Sequence, residues 1–329
     1  MVTLIVEEKD SGQRLDQYLR RYMPLAPDSF FYKMLRKKNI TRNGSRADGS
    51  EKLAAGDEIR LFLSEETIGK FRSRAAQHLS FRPVEILFEN DSVLAVNKPA
   101  GILTQRDRSG ISALSDDVLG CLLRSGTVTE ESLLHYRPSP ANRLDRNTSG
   151  IVLFGKTLAG QRDISEVIRR RLVRKHYVTL AVGHFPKKKE DRAWLAKDTR
   201  NNRSVITASP GEGAEEIRTV FTPLRYFNGN DIFRKGWTLL DVELLTGKPH
   251  QIRARISDLG YPAAGDPKYG DPAVNLMLRD RYGLRFQLLH AYKAAFRDDG
   301  AVPEGLRGKT VEAPFPPLFE RILKDLDND

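Results

Sequence analysis

The stretch T-S-G-I-V-L-F-G-K-T, residues 148–157, can be read in two ways that lead to different folds. From Gly150 to Thr157 it spells G-x-x-x-x-G-K-T, the spacing of a loop that cradles nucleotide phosphates. Such a loop needs an apolar strand before its first glycine, small or polar residues between the glycines, and a helix after the Lys-Thr pair. Here the preceding N-R-L-D-R-N-T-S is polar, and the residues between the glycines are Ile151, Val152, Leu153 and Phe154. Bulky and β-branched side chains resist the backbone angles by which successive N–H groups converge on an anion. The stretch therefore reads as a buried strand, with Gly150 permitting a close backbone approach and Lys156-Thr157 at the strand exit. A nucleotide hydrolase is the weaker alternative.

Working outward, I-V-L-F, H-Y-V-T-L-A-V and W-T-L-L-D-V-E-L-L read as further strands. Helical patterns are fewer: Ser112 to Arg124, Gly160 to Arg171 and His250 to Leu259. A strand-heavy α+β domain follows.

The 329 residues are enough for about two domains. They are 40% hydrophobic and 29% charged, with no apolar run long enough to span a bilayer. The N-terminus lacks the basic segment and cleavage site of a signal peptide. The single cysteine, Cys121 in V-L-G-C-L-L, excludes an internal disulfide and a C-x-x-C zinc knuckle, and reads as a core thiol. A soluble cytoplasmic protein, acting as a monomer and holding no metal, is expected. The net charge of +11 and a pI near 9.7 suit a polyanionic partner. Ser29 to Arg46 carries six basic residues and no acid, and Ile168 to Lys189 carries eight and no acid. Two such runs point to nucleic acid.

Residues 11–63 form a unit of their own. Leu15, Tyr18, Leu19 and Tyr22 recur at helical spacing, and Phe30, Phe31, Met34 and Leu35 give a second helix beyond the prolines at 24 and 27. Asn43-Gly44 signals a hairpin turn, and G-D-E-I-R-L-F-L alternates like a strand. Arg14-Leu15-Asp16, the Lys33 to Lys38 run, Asn43-Gly44 and Gly56-Asp57-Glu58-Ile59 together resemble the S4 RNA-binding domain. Arg36, Lys37 and Lys38 on a basic helix, with Arg42 on the adjoining hairpin, would contact an RNA backbone by shape. Residues 1–63 are thus expected as an S4-type domain (two helices and a β-hairpin), 64–82 as a polar linker, and 83–329 as a catalytic domain.

Before the decisive strand, Asp145 stands between Arg143 and Arg146, which would hold it ionised. An ionised aspartate in a positive cleft can act as nucleophile or base, although spacing alone favours one that caps its own loop. The segment Asn142 to Gly150 resembles the H-R-L-D-x-x-T-S-G signature of the RluA family of pseudouridine synthases. The similarity continues through Asn97-Lys98-Pro99-Ala100-Gly101, Arg174-Lys175-His176-Tyr177, Thr246 to Arg253, Gly260 to Gly270, Leu288 to Ala291 and Glu312 to Pro317.

That resemblance implies a mixed, largely antiparallel sheet and isomerisation of uridine in RNA, most plainly in large-subunit (23S-type) ribosomal RNA. No cofactor is expected, because the N1–C1′ bond is exchanged for C5–C1′ without redox change or energy input. It implies that Asp145 is the essential aspartate, that Tyr177 stacks on the target base, and that Arg253 pairs with the carboxylate. Arg143 would fill the stack vacated by the flipped base, and Leu289 would pack beneath it. Read without the resemblance, Leu289 could equally be plain core, and the weaker alternative for Tyr177 is a core or strand-pairing tyrosine. Two positions depart from the pattern: Asn142 replaces the usual His, and Lys248 the usual Arg of T-G-R. His250 and His290 read as loop supports. An RNA-binding protein that keeps the fold without the chemistry is the remaining alternative.

Overall fold

The computed structural model describes residues 1–72, 82–107, 110–201, 203–211, 213–229 and 235–328. The chain divides into two compact units: 1–83 with 115–139 and 156–158, and 84–114 with 140–155 and 159–329.

The first unit contains β1 (Val2–Ile5), α1 (Leu15–Tyr22), α2 (Asp28–Arg36), β2 (Ile40–Arg42), β3 (Ser45–Arg46) and β4 (Glu58–Leu61). It continues with α3 (Glu65–Arg72), α4 (Leu114–Arg124) and α5 (Ser132–His135). Its antiparallel sheet runs β1-β4-β2-β3. Helix α1 buries Leu15, Tyr18, Leu19 and Tyr22, the stripe its spacing anticipates. The hairpin turn has positive φ at both Asn43 (49°) and Gly44 (73°), which matches the twist of the strands it joins.

Several details differ from the sequence reading. Helix α2 stops at Arg36; Lys37 caps it and Lys38 is left-handed at φ 57°, so the three exposed cations line a turn rather than a helix face. Arg42 donates from Nε to Asp57 at 2.9 Å, and Asp57 also accepts from Asn43 and the Ala54 N–H. Burial alone would raise the Asp57 pKa, but these bonds outweigh it and hold it low. Arg42 is thereby tied to the hairpin. Residues 65–72, within the expected linker, form α3, and Ile68 and Phe71 pack onto the same core as α1 and α2. Residues 73–81 lie outside the described residues. Residues 115–139, expected with the second unit, cluster with the first. The reason is Asp10, 1% exposed, which accepts from both Arg21 and His135. Cys121, read as a core thiol, is only half-buried on α4.

The second unit contains β5 (Glu85–Glu89), β6 (Val93–Lys98), β7 (Ser139–Pro140), β8 (Ser149–Gly155), α6 (Leu158–Arg169), β9 (Val173–Val182), β10 (Lys189–Asp198) and β11 (Arg203–Thr207). There follow β12 (Glu215–Phe227), β13 (Trp237–Leu244), α7 (Gln251–Asp258), α8 (Pro272–Tyr282), β14 (Leu289–Phe296), β15 (Thr310–Glu312) and α9 (Pro317–Asn328). The sheet runs β11-β10-β12-β13-β9-β14-β8-β6-β5, with β15 on β14 and β7 on β8. Pairing along that order is antiparallel except for β8 with β14. The fold is therefore mixed and largely antiparallel, as expected.

All of Ser149–Gly155 is buried strand, so the G-x-x-x-x-G-K-T spacing encodes no phosphate loop. At the parallel crossing a Cβ on Gly150 (φ 113°) would fall 2.2 Å from the Ala291 carbonyl oxygen. The glycine is needed there to let the two strands meet.

Candidate active site

The loop that enters β8 is fixed at several points. Asn142 accepts from the Leu153 N–H at 2.8 Å and donates to the Ile151 carbonyl at 3.3 Å, extending the ladder along β8 with a side chain. This is a structural use for the departure at position 142. Thr104 Oγ1 donates to the Leu144 carbonyl at 3.0 Å and accepts from the Leu144 N–H at 3.2 Å. The Thr148 N–H closes the turn onto the Asp145 carbonyl at 3.0 Å. Asp145 stands at the head of this turn with its side chain 27% exposed.

Lys98, the last residue of β6, is fully buried and holds the turn from below. Its Nζ donates to the carbonyls of Pro99 (3.0 Å), Ile102 (2.9 Å) and Arg146 (3.0 Å). Burial pulls its pKa down to about 7 against the opposing influence of Asp145.

The arginines next to Asp145 in sequence are not its partners. Arg143 points to solvent, and Arg146 donates from Nε to the Gly101 carbonyl at 2.9 Å. The pairing cation is Arg253 of α7, whose Nη1 donates to Asp145 Oδ2 at 3.0 Å. Its other nitrogens clasp Asp266, Nε at 2.7 Å and Nη2 at 2.8 Å. Asp266 is 1% exposed and also accepts from the Lys268 and Tyr269 N–H groups. Burial opposes the Arg253 charge, but the two carboxylates outweigh it and raise its pKa. The result is a planar cation held at one end by a buried anion and presented to Asp145 at the other. Asp145 Oδ1 accepts no hydrogen bond from the described residues.

Helix α7 is reached through His250 in a left-handed conformation (φ 55°). Gln251 Oε1 accepts from the Lys248 N–H and from Thr246 Oγ1, both at 3.0 Å, closing the T-G-K-P-H turn. Lys248 itself is ion-paired with Glu215. His250 Nε2 lies 3.9 Å from Asp145 Oδ2, and its Nδ1 is 2.9 Å from the Tyr269 hydroxyl. Burial lowers the His250 pKa more than Asp145 raises it. Two guanidinium groups lie over the Tyr269 ring, that of Arg203 at 4.8 Å and that of Arg253 at 5.2 Å from its centre.

Tyr177 is 7% exposed on β9. Burial, and then the negative charge of Asp145, push its pKa upward, so the phenol keeps its proton. Leu289, 4% exposed, pairs opposite Thr179 and so shares the Tyr177 face of the sheet. Asp145, Tyr177, Arg253 and Leu289 thus belong to one unit, as does Arg143. Arg36, Lys37, Lys38 and Arg42 belong to the other.

Sequence reasoning gave no role to Asp266 or Tyr269, although both lie in G-Y-P-A-A-G-D-P-K-Y-G. It likewise assigned nothing to Lys98. Among the described residues no group of three or more His, Cys, Asp or Glu is arranged to hold a metal ion. Nor is any helix long and apolar enough to cross a membrane.

A carboxylate with one oxygen on a fixed arginine and one free, within electrostatic reach of a protonated phenol, can add to an electron-poor carbon or take a proton. The family model for RNA pseudouridylate synthase matches residues 92–258, which include Asp145, Tyr177 and Arg253. Ribosomal large subunit pseudouridine synthase C of Escherichia coli is 30% identical over 332 residues, covering 97% of this chain and 94% of its own. The protein of the same name from Pasteurella multocida is 30% identical over 331 residues, covering 97% and 92%. A solved human structure, RNA pseudouridylate synthase domain containing 4, shares the fold at a TM-score of 0.58 and 18% identity, over 74% of this chain and 93% of that one.

The chain belongs to the RNA pseudouridylate synthase family, in its RluA branch. It is an isomerase that converts uridine to pseudouridine in RNA.

Proposed function

We propose that this enzyme isomerises specific uridines of large-subunit ribosomal RNA, acting as a monomer in the cytoplasm, with Asp145 as the essential catalytic group. The observation that carries the reading is the Asp266–Arg253–Asp145 chain, in which a buried anion fixes the arginine that orients the reactive carboxylate. The names of the relatives supply the substrate class. Tyr177 stacks on the extruded uracil and Leu289 packs against it. Asp145 attacks C1′ or removes the C2′ proton, so that the N1–C1′ bond breaks. The uracil turns while bound, C5 joins C1′, and the C5 proton leaves as N1 gains one. Extruding a base costs a few kcal/mol. Arg143 offsets part of this by stacking its guanidinium in the vacated position.

The first unit docks the RNA as an S4 domain does, through Arg36, Lys37 and Lys38. Arg42 serves that surface indirectly, by bracing the hairpin through Asp57.

The test uses ribosomal RNA transcribed with C5-tritiated uridine. The wild-type protein should release tritium, and Asp145→Asn should release none while binding RNA within roughly tenfold of wild type. Turnover retained by Asp145→Asn would overturn the assignment of the catalytic group.

A further inference from the structure

Lys175 occupies an unusual position for a cation. It lies on β9 two residues before Tyr177, and the register of β9 with β13 is unbroken there: Lys175 faces Leu244 and Tyr177 faces Val242. Side chains two apart on a regular strand share a face about 7 Å apart. Lys175 therefore projects from the same face of the sheet as the base-stacking tyrosine. Its Nζ lies 3.6 Å from the point a Cβ would occupy at Gly247, within the turn that ends at His250 beside Asp145. A side chain at position 247 would come into van der Waals contact with the ammonium group.

Three cations of the adjoining turn and helix α7 have carboxylate partners. Lys248 pairs with Glu215, Arg253 with Asp266 and Arg255 with Asp191. Lys175 is half-buried and has neither an ion pair nor a hydrogen bond among the described residues. Burial acts on it unopposed and lowers its pKa. Removing an ammonium group from water without a counter-ion is unfavourable, so the position favours the arrival of an anion.

Resting on the reading of this face as the uridine site, we propose that Lys175 is a positioning residue whose ammonium group holds a backbone phosphate of the RNA next to the target uridine. A phosphodiester is the permanent anion of this substrate, whereas uracil is neutral until its bond to the ribose breaks. Lys175 and the stacking ring would then grip the nucleotide at two points, backbone and base, which limits its travel while the freed uracil turns. A single fixed phosphate contact contributes both to affinity and to its dependence on salt.

The experiment compares wild type, Lys175→Met and Lys175→Arg as full chains, on ribosomal RNA that wild type converts. Thermal melting verifies that each folds, and Lys175→Gln replaces the methionine variant if that one does not. The neutral variant should raise KM roughly tenfold with kcat within about twofold, and reduce the slope of log affinity against log salt by about one unit. The arginine variant should restore the slope. An unchanged KM and slope would overturn the proposal. A fall in kcat at unchanged KM would also overturn it, because the ammonium group would then act on the departing uracil rather than on phosphate. If wild type itself releases no tritium, the reading of the uridine site fails, which is a different result.

Discussion

Lys98 Nζ and the Arg146 carbonyl oxygen are 3.0 Å apart, which ties the buried end of β6 to the residue that follows Asp145. Through this bond and those to Pro99 and Ile102, one ammonium group fixes the two loops that meet under the carboxylate. Lys98→Met keeps the volume, leaves the Pro99 and Ile102 carbonyls without this donor and leaves the Arg146 carbonyl with the Gly101 N–H alone. The expected loss is about 3 kcal/mol of stability with roughly 100-fold lower turnover, the scale of a 1 Å misplacement of the reacting group. Denaturant melts and tritium release measure the two effects.

Asp266→Asn isolates the anchor behind Arg253. The substitution leaves a buried guanidinium with one carboxylate partner, Asp145. Breaking a buried pair costs about 3 to 5 kcal/mol, and the arginine would be drawn towards Asp145. Turnover should fall far more than RNA affinity. Equal losses in both would mean that Asp266 serves the fold and not the carboxylate.

Gly150→Ala tests the strand crossing. A methyl group would meet the Ala291 carbonyl oxygen at 2.2 Å on a backbone with φ 113°. Overpacking and left-handed strain together should remove about 3 kcal/mol or more. Chemical denaturation of the purified variant checks this.

His290 makes stability depend on acid. It is fully buried between Ser149 Oγ (2.9 Å) and the Ala313 carbonyl, and burial lowers its pKa to about 4 from an ordinary 6.5. Above pH 6.5 it is neutral in both folded and unfolded chains and has no effect. Below 6.5 the unfolded chain binds the proton first, so stability falls until the folded protein also protonates near pH 4. The total is about 3 kcal/mol. His290→Asn should flatten this part of the stability profile, read as unfolding free energy at several pH values.

Reversing the charges of Arg36, Lys37 and Lys38 to glutamate should weaken RNA binding and reduce its salt slope, by about 0.7 to 0.9 per lost phosphate contact. Turnover at saturating RNA should persist. An unchanged slope removes this turn from the RNA footprint.

Local pattern made the α1 stripe, the Asn43-Gly44 turn and the β8 strand legible, because each depends on residues a few positions apart. β1 was not, since four residues become a strand only by pairing with β4. Helices α8 and α9 left signals that went unread. Asp271 caps the first, with Pro272 at its start and Gly283 left-handed at its end. The second places Phe319, Ile322, Leu323 and Leu326 on one side. Asp145 and Arg253 are 108 residues apart, so no spacing rule could join them. Their pairing was expected only through resemblance. Arg42 looked like a free cation because Asp57, its partner, comes 15 residues later, just before β4.

The alternation along β9 also bears on how such a sequence can change. Odd-numbered residues from Lys175 to Thr179 share the face that carries Tyr177, and His176, bonded to Asp241, belongs to the opposite one. Deleting one residue upstream in this strand would exchange the two sets, sending the Tyr177 ring to the other face and an imidazole into its place. Gains and losses of chain length should therefore be confined to the turns, while β9 evolves by substitution alone.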